Sequence, residues 1–373
     1  MKIAILHNFM DNIGGAEIVD LMLARELNAD IYTTNIDKEK IQKMGFSSEN
    51  IYSIGKIPIN APFKQEFAYW KFRKLNIEKK FKKKYDIYII AGDWAMSGAR
   101  HNQPNLWYVF STTREIYDLY EYSRDKIVAP TRGKLAKIPF TIWVKLRRIV
   151  NKNDLKYINK IISTSINVEN RLKKYLDKKS SVIYPPIVKD QHYNNSSKNY
   201  WLSVNRLISS KRIEIQMNAF SKLPNEKLII VGSYERSKHF LKYAKYCQEI
   251  KPKNVEIKSW VSQKELLALY ANCKGFITTS KDEDFGLTPV EAMASGKPVI
   301  APNEGGYKET MINNKTGILI DNIDENKLIN AIKSINQELK TNPNKYKKTC
   351  EKQSKKFDIK TFIEKIKQEI KNI

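Results

Sequence analysis

The chain has 373 residues, 42% hydrophobic and 28% charged, which suffices for two ordinary domains and is too apolar for a disordered polymer. Its 66 lysines and arginines against 40 aspartates and glutamates leave a formal charge of +26, a balance that favours anionic partners such as phosphates, nucleic acid or acidic membranes. Three scattered cysteines, Cys247, Cys273 and Cys350, exclude a disulfide framework, and no stretch approaches the roughly 18 apolar residues of a membrane span. Any membrane contact is expected to be peripheral, and the expected compartment is the reducing cytoplasm.

The opening Lys-Ile-Ala-Ile-Leu-His-Asn reads as a buried strand. Gly14-Gly15-Ala16-Glu17 then leads into apolar positions Ile18, Leu21, Met22 and Leu27 at helical spacing. Strand-like runs recur at Asp86 to Ala91, Leu106 to Phe110 and Lys160 to Ser165, with helix-like sequence between them. Such alternation implies a parallel sheet covered by helices on both faces. Val182-Ile183-Tyr184-Pro185-Pro186 ends a strand, and the polar stretch Lys189 to Asn199 marks a domain boundary. A second series follows at Tyr200 to Val204, Lys227 to Val231, Val255 to Ile257, Gly275 to Thr279 and Pro298 to Ala301. The expected fold class is α/β, with two doubly wound parallel-sheet domains facing across a cleft. The lysine-rich segment Leu328 to Ile373 is read as helical, with Phe357, Phe362, Ile363, Ile366 and Ile370 as its buried stripe.

The segment Pro62 to Tyr85 places Phe63, Phe67, Trp70, Ile77 and Phe81 at helical spacing beside Lys71, Arg73, Lys74, Lys79, Lys80, Lys82, Lys83 and Lys84, and so predicts a basic amphipathic helix. Two readings stand: a helix packed on the first domain with a solvated lysine face, or contact with an anionic membrane surface. Ile142 and Trp143, followed by Lys145, Arg147 and Arg148, form a second basic and aromatic stretch with the same two readings.

The most informative segment is Asp282-Glu283-Asp284-Phe285-Gly286-Leu287-Thr288-Pro289-Val290-Glu291-Ala292, which follows a strand and opens a helix. Thr288 fits an N-cap, Pro289 the first helical position and Glu291 the carboxylate of a capping box. A glycine turn feeding a helix start also exposes backbone N–H groups and the positive end of the helix dipole, a place for phosphate.

This Glu-x7-Glu element resembles that of the family 4 retaining glycosyltransferases of the GT-B fold, a family that includes many polysaccharide and lipid-linked glycan mannosyltransferases. Gly14-Gly15-Ala16-Glu17, Tyr184-Pro185-Pro186, Ser203-Val204-Asn205-Arg206-Leu207 with Lys211, and Gly305-Gly306 with Gly317 agree in the same order, so the resemblance runs to about residue 320. It implies residues 1–187 as an acceptor-binding domain, 188–345 as a nucleotide-sugar domain, and 346–373 as terminal helices, the last crossing back onto the first domain. It further implies a hexosyl transfer, mannosyl first, from a GDP- or UDP-linked sugar to a glycan, lipid-linked in many members, without metal or other cofactor.

By the same resemblance, Glu283 contacts the transferred sugar and Glu291 holds the ribose hydroxyls. Arg206 and Lys211 meet the diphosphate, where fixed cations stabilise the charge on the departing group. The backbone of Phe285, Gly286, Leu287 and Thr288 approaches the donor, as do Gly14 and Gly15. Arg114 and Asp118 belong to the acceptor side. One departure stands out: Phe110 occupies the place of a histidine that such enzymes commonly carry near the sugar. Either another group covers that role, or activity is reduced and the chain serves as a nucleotide-sugar-binding subunit. Asp282-Glu283-Asp284 also satisfies a metal-binding Asp-x-Asp pattern, against which the two-domain pattern weighs. The four histidines are too scattered for zinc-ligand spacing, and no P-loop occurs. The charge would also suit a nucleic-acid-binding protein, but no signature of such a module appears, so no nucleic acid is expected as a partner.

Overall fold

Runs such as Ile87–Ile90 carry branched apolar side chains on both faces, and only a sheet covered on both sides can bury them. The computed structural model describes residues 1–12, 14–58, 64–233, 238–259 and 261–373. Its strands are β1 (Ile3–Leu6), β2 (Asp30–Thr33), β3 (Ile51–Ser53), β4 (Ile87–Ile90), β5 (Asn105–Val109), β6 (Lys160–Ser163), β7 (Ser181–Val182), β8 (Tyr200–Arg206), β9 (Lys227–Ser233), β10 (Val255–Lys258), β11 (Gly275–Ile277), β12 (Val299–Pro302) and β13 (Gly317–Ile320).

The chain divides into two units, one of Met1–Tyr184 with Ile363–Ile373 and one of Pro185–Phe362. The first carries a parallel sheet of order β3-β2-β1-β4-β5-β6-β7, in which Ile5 pairs with Ile89. The second carries a parallel sheet of order β10-β9-β8-β11-β12-β13, in which Ile277 pairs with Ile300. In both, the strand order reverses beside the first strand of the unit, between β1 and β4 and between β8 and β11. Helices flanking a reversal diverge to opposite faces of the sheet and leave a crevice at the carboxyl ends of the strands, where ligands bind in such sheets. The cores are built on fully buried aromatic and branched side chains, including Trp107 and Tyr108 in one unit and Trp201 and Phe276 in the other.

The expected runs form strands, and the terminal stripe Phe357, Phe362, Ile363, Ile366 and Ile370 is buried. Two features differ. Strands β2, β3 and β13 fall outside the expected runs: Asp30, Thr33 and Ser53 interrupt the apolar pattern of the first two, and β13 has three apolar residues behind Gly317. The basic helix expected over 62–85 is two helices, Lys64–Arg73 and Ile77–Phe81, because Asn76 is extended and its side chain accepts the Lys79 N–H as a new N-cap. Pro62 and Phe63 lie outside the described residues.

Candidate functional site

In the second unit, β8 ends at Arg206 and a tight turn brings Lys211 back toward the end of β11. The two loops are laced together. Thr279 Oγ1 donates to the carbonyls of Lys211 and Arg212 at 2.8 and 3.0 Å, and the Lys281 N–H donates to the Ser210 carbonyl at 2.8 Å. Arg212 holds a left-handed backbone (φ 49°), which strains a non-glycine residue. Its guanidinium spans the Thr279 carbonyl at 2.6 Å, the Ser280 carbonyl at 3.3 Å and the Glu304 carboxylate. It therefore fixes the strand-end loop that carries Glu283.

Among the predicted residues, Lys211 meets the Glu283 side chain directly. Glu283 Oε2 lies 2.5 Å from Lys211 Nζ, takes the Ser280 hydroxyl, and has the Tyr307 hydroxyl at 3.5 Å. Tyr307 is buried, and burial together with the charge of Glu283 raises its pKa well above the usual value, so it remains a donor. Its hydroxyl is shared with Thr278 Oγ1 at 2.8 Å. The family resemblance implies separate roles for Lys211 and Glu283, at the diphosphate and at the sugar; the structure pairs the two side chains directly. Ser280, Tyr307 and Arg212 belong to no motif of the sequence, although Tyr307 directly follows the Gly305-Gly306 pair.

The helix after Glu283 runs from Leu287 to Ala294. Its N-cap is Gly286 at φ 93°, not Thr288, and no side chain caps it; Pro289 falls at the third helical position and Glu291 makes no capping box. The left-handed glycine starts the helix two residues early, and Pro289 still fits because first-turn N–H groups have no partner within the helix. A Cβ on Gly286 would stand 2.7 Å from the Tyr307 ring, so the turn needs glycine twice over. Phe285 packs its ring edge-on against Phe357 at 5.3 Å. Leu287 and Thr288, half-buried, form the first turn. Glu291 accepts the Tyr270 hydroxyl at 2.7 Å, and burial raises its pKa.

In the first unit, Gly14 is the N-cap and Gly15 the first residue of the helix Gly15–Leu27. Glu17 turns back so that its Oε2 accepts the Gly14 N–H at 2.8 Å and its Oε1 lies 3.0 Å from His7 Nε2. His7 Nδ1 lies 2.5 Å from Asp20 Oδ2. All three side chains are buried at the end of β1. Burial opposes the imidazolium, but the Asp20 and Glu17 carboxylates outweigh it and hold His7 at about 10. Across the reversal, Asn8 Nδ2 donates to Asp93 Oδ1 at 2.7 Å, while Asn8 Oδ1 accepts the N–H groups of Trp94 and Ala95 at 3.1 and 3.0 Å. Burial raises the Asp93 pKa. Arg114 is ion-paired with Asp118 at 2.7 Å, with Arg171 at 3.7 Å from the same carboxylate oxygen. The Phe110 ring stands edge-on to Tyr108 at 5.1 Å. Neither His7 nor Asp93 was picked out from sequence, because nothing local links them to residues 10 or 85 positions away.

The His7 cluster carries a pH prediction. A histidine raised from 6.5 to about 10 in the folded state contributes stability that is fully present below pH 6.5 and is lost as pH rises through about 10. At 1.36 kcal/mol per unit, the contribution has an upper bound of about 5 kcal/mol. Thermal unfolding of the wild type should therefore weaken from pH 7 to pH 10, and His7→Gln should flatten that slope. An unchanged slope in the variant would assign the alkaline loss to other groups.

Among the described residues, no three His, Cys, Asp or Glu side chains come together in a way that could hold a metal ion. No described helix is long and apolar enough to cross a membrane.

The family of glycosyl transferases group 1 matches residues 186–357, nearly the whole second unit. An uncharacterized glycosyltransferase of Methanocaldococcus jannaschii is 30% identical over 210 residues, 56% of each chain. The O-antigen chain mannosyltransferase RfbU of Salmonella typhimurium is 28% identical over 262 residues, 63% of this chain and 72% of that one. Against the first curated relatives, which include alpha-1,3/1,6-mannosyltransferases, the chain spans about half their length or less. Anabaena HepE in complex with UDP-glucose shares the fold over 100% of both chains, at a TM-score of 0.75 and 18% identity.

Proposed function

We propose, on a second unit that is a group 1 glycosyl transferase domain and on a GT-B fold, that the chain is a retaining glycosyltransferase. It moves a hexosyl group from a nucleoside diphosphate sugar to a glycan acceptor in cell-surface glycan assembly. The observation that carries this reading is the Lys211–Glu283 pair at the β8/β11 reversal, beside an uncapped helix start at Gly286. A cation, a carboxylate and free helix-start N–H groups within one crevice suit a ligand that carries both a diphosphate and a sugar.

In the proposed course, Arg206, Lys211 and the N–H groups after Gly286 hold the donor phosphates, and Glu291 takes the ribose hydroxyls. Glu283 orients the sugar. The bond from the anomeric carbon to the phosphate oxygen breaks, and the acceptor hydroxyl forms the new bond from the same face. Its proton passes to the departing phosphate, so configuration is retained and no cofactor is consumed. The first unit binds the acceptor, with Arg114 and Asp118 on that side. Mannose on GDP is the first donor to test, supported by the likeness to mannosyltransferases; the UDP-glucose bound to HepE keeps uridine-linked sugars in the set. A lipid-linked acceptor at the cytosolic membrane face fits the basic charge.

A thermal-shift panel of nucleotides and nucleotide sugars tests the donor. The correct one, at 100 times its Kd, should add about 2.7 kcal/mol, or roughly 5–10 °C in the melting midpoint of a unit this size. The shift and the turnover should both survive EDTA; loss restored by manganese reassigns Asp282-Glu283-Asp284 to a metal. No shift with any nucleotide removes the donor reading. Phe110 favours a second reading, a nucleotide-sugar-binding subunit, which predicts donor binding without transfer to any acceptor extract.

A further inference from the structure

The helix Lys137–Asp154 and the short turn before it leave an apolar stripe in water. Leu135 is 82% exposed, and Ile138, Ile142, Leu146 and Ile149 are each more than half exposed. Their spacing of three and four residues puts four of them on one face of the helix, which is about 27 Å long, and Leu135 continues that face into the turn before it. Soluble surfaces tolerate single exposed leucines; a continuous row of five is a binding surface. The exposed lysines Lys134, Lys145 and Lys152 recur on the same turns.

The opposite face of this helix is fully engaged. Trp143 Nε1 donates to Glu66 Oε1 at 3.0 Å, and Arg147 lies 3.2 Å from that oxygen and 3.9 Å from the Tyr69 ring centre. Asp154 accepts from both Tyr69 and Arg73. Glu66 thus meets residues 143 and 147 while Arg73 meets 154, so the helices Lys64–Arg73 and Lys137–Asp154 run parallel. Phe67 and Trp70, 54% and 50% exposed, each follow a contact residue by one position, whereas Ile142 and Leu146 each precede one. In parallel right-handed helices, one step forward on one and one step back on the other turn both sets to the same side of the pair. The two helices therefore present one broad apolar face, and Lys74, four residues after Trp70, joins its rim.

We infer that this two-helix face is a docking surface for an anionic lipid bilayer, with the apolar rows inserted at the headgroup boundary and the lysines against the headgroups. Apolar side chains centred between cations fit a surface that is oily within and negative outside, and a chain of net charge +26 is drawn to it. This deepens the lipid-linked-acceptor reading above. It joins the two stretches read from the sequence, 62–85 and 142–148, into one face shared by two helices, most of it contributed by residues 135–149, with Trp143 and Arg147 turned instead to the protein.

Flotation of the full chain with vesicles of equal parts phosphatidylglycerol and phosphatidylcholine, compared with phosphatidylcholine alone, tests the inference without any donor or acceptor. The wild type should bind the anionic vesicles and bind the neutral ones at least about tenfold more weakly. The double variant Ile142→Asp/Leu146→Asp should lose at least about tenfold of the binding with a melting midpoint lowered by no more than a few degrees, since both side chains are more than half exposed. Lys145→Gln/Lys152→Gln should lose several-fold on anionic vesicles only. Donor-induced thermal shifts should stay as in the wild type for both variants, so a failed membrane result leaves the donor site standing. Wild-type binding to neither vesicle overturns the proposal, as does a dimer that Ile142→Asp/Leu146→Asp dissociates in the absence of lipid binding.

Discussion

Glu283→Gln should lower turnover by about 100- to 1,000-fold, the range for removing one preorganised electrostatic contact from a transition state. Nucleotide affinity should be kept or should tighten. The direction follows from the geometry of one oxygen: Glu283 Oε2 collects the Lys211 ammonium, the Ser280 hydroxyl and, farther off, the Tyr307 hydroxyl. Glutamine keeps the shape and an accepting oxygen but removes the charge, so Lys211 loses its counter-ion and its field is freed for phosphate. A variant that binds GDP or UDP at least as well as the wild type by calorimetry, yet transfers no sugar, has lost a group that acts on the sugar. Arg206→Ala should weaken both binding and turnover, since its charge belongs with the phosphates throughout. Near-native rates in Glu283→Gln would remove the carboxylate from the reaction and reduce its pairing with Lys211 to a structural contact.

That pairing also shows where the sequence stopped being readable. The strands flanking each reversal announce themselves, because Ile87–Ile90 and Tyr200–Leu202 are apolar on both faces and can only be interior. The neighbourhood of β8 and β11 follows from a doubly wound order, so residues after Arg206 and after Ile277 are bound to be near one another. Which atoms then touch depends on backbone choices that leave no compositional trace. Arg212 adopts φ 49° where glycine would be the easy residue, and Gly286 adopts φ 93° and begins its helix before Thr288. The split of the 62–85 segment was written in Asn76, a good N-cap inside an apparently continuous amphipathic pattern, but a cap competes with helix continuation only by packing that lies elsewhere. The buried His7, Glu17 and Asp20 cluster is harder still, since its parts come from a strand end and the next helix and meet through tertiary placement alone.

Gly305→Ala should abolish activity and destabilise the second unit together, which separates it from Glu283→Gln. Gly305 has φ 61°, where an alanine costs about 1–2 kcal/mol. Its missing Cβ would also stand 2.5 Å from the Glu283 carbonyl oxygen, 2.7 Å from the Glu283 nitrogen and 2.8 Å from the Asp282 carbonyl carbon. These are backbone atoms, and the Glu283 carbonyl already accepts the Gly306 N–H at 2.8 Å, so the clash cannot be relieved by turning a side chain. Overpacking of this kind adds about 1–3 kcal/mol, for a total near 2–5 kcal/mol. In a unit of this size that is roughly a 5–15 °C fall in melting midpoint. Gly45→Ala supplies the control: its φ is 83°, but nothing lies within 4 Å of the added carbon, so only the conformational cost applies. Calorimetric melting with single-turnover kinetics below the transition reads both effects. If Gly305→Ala melts no lower than Gly45→Ala and transfers sugar normally, the peptide of Glu283 is not held where the site requires it, and the glycine pair is dispensable to the reaction.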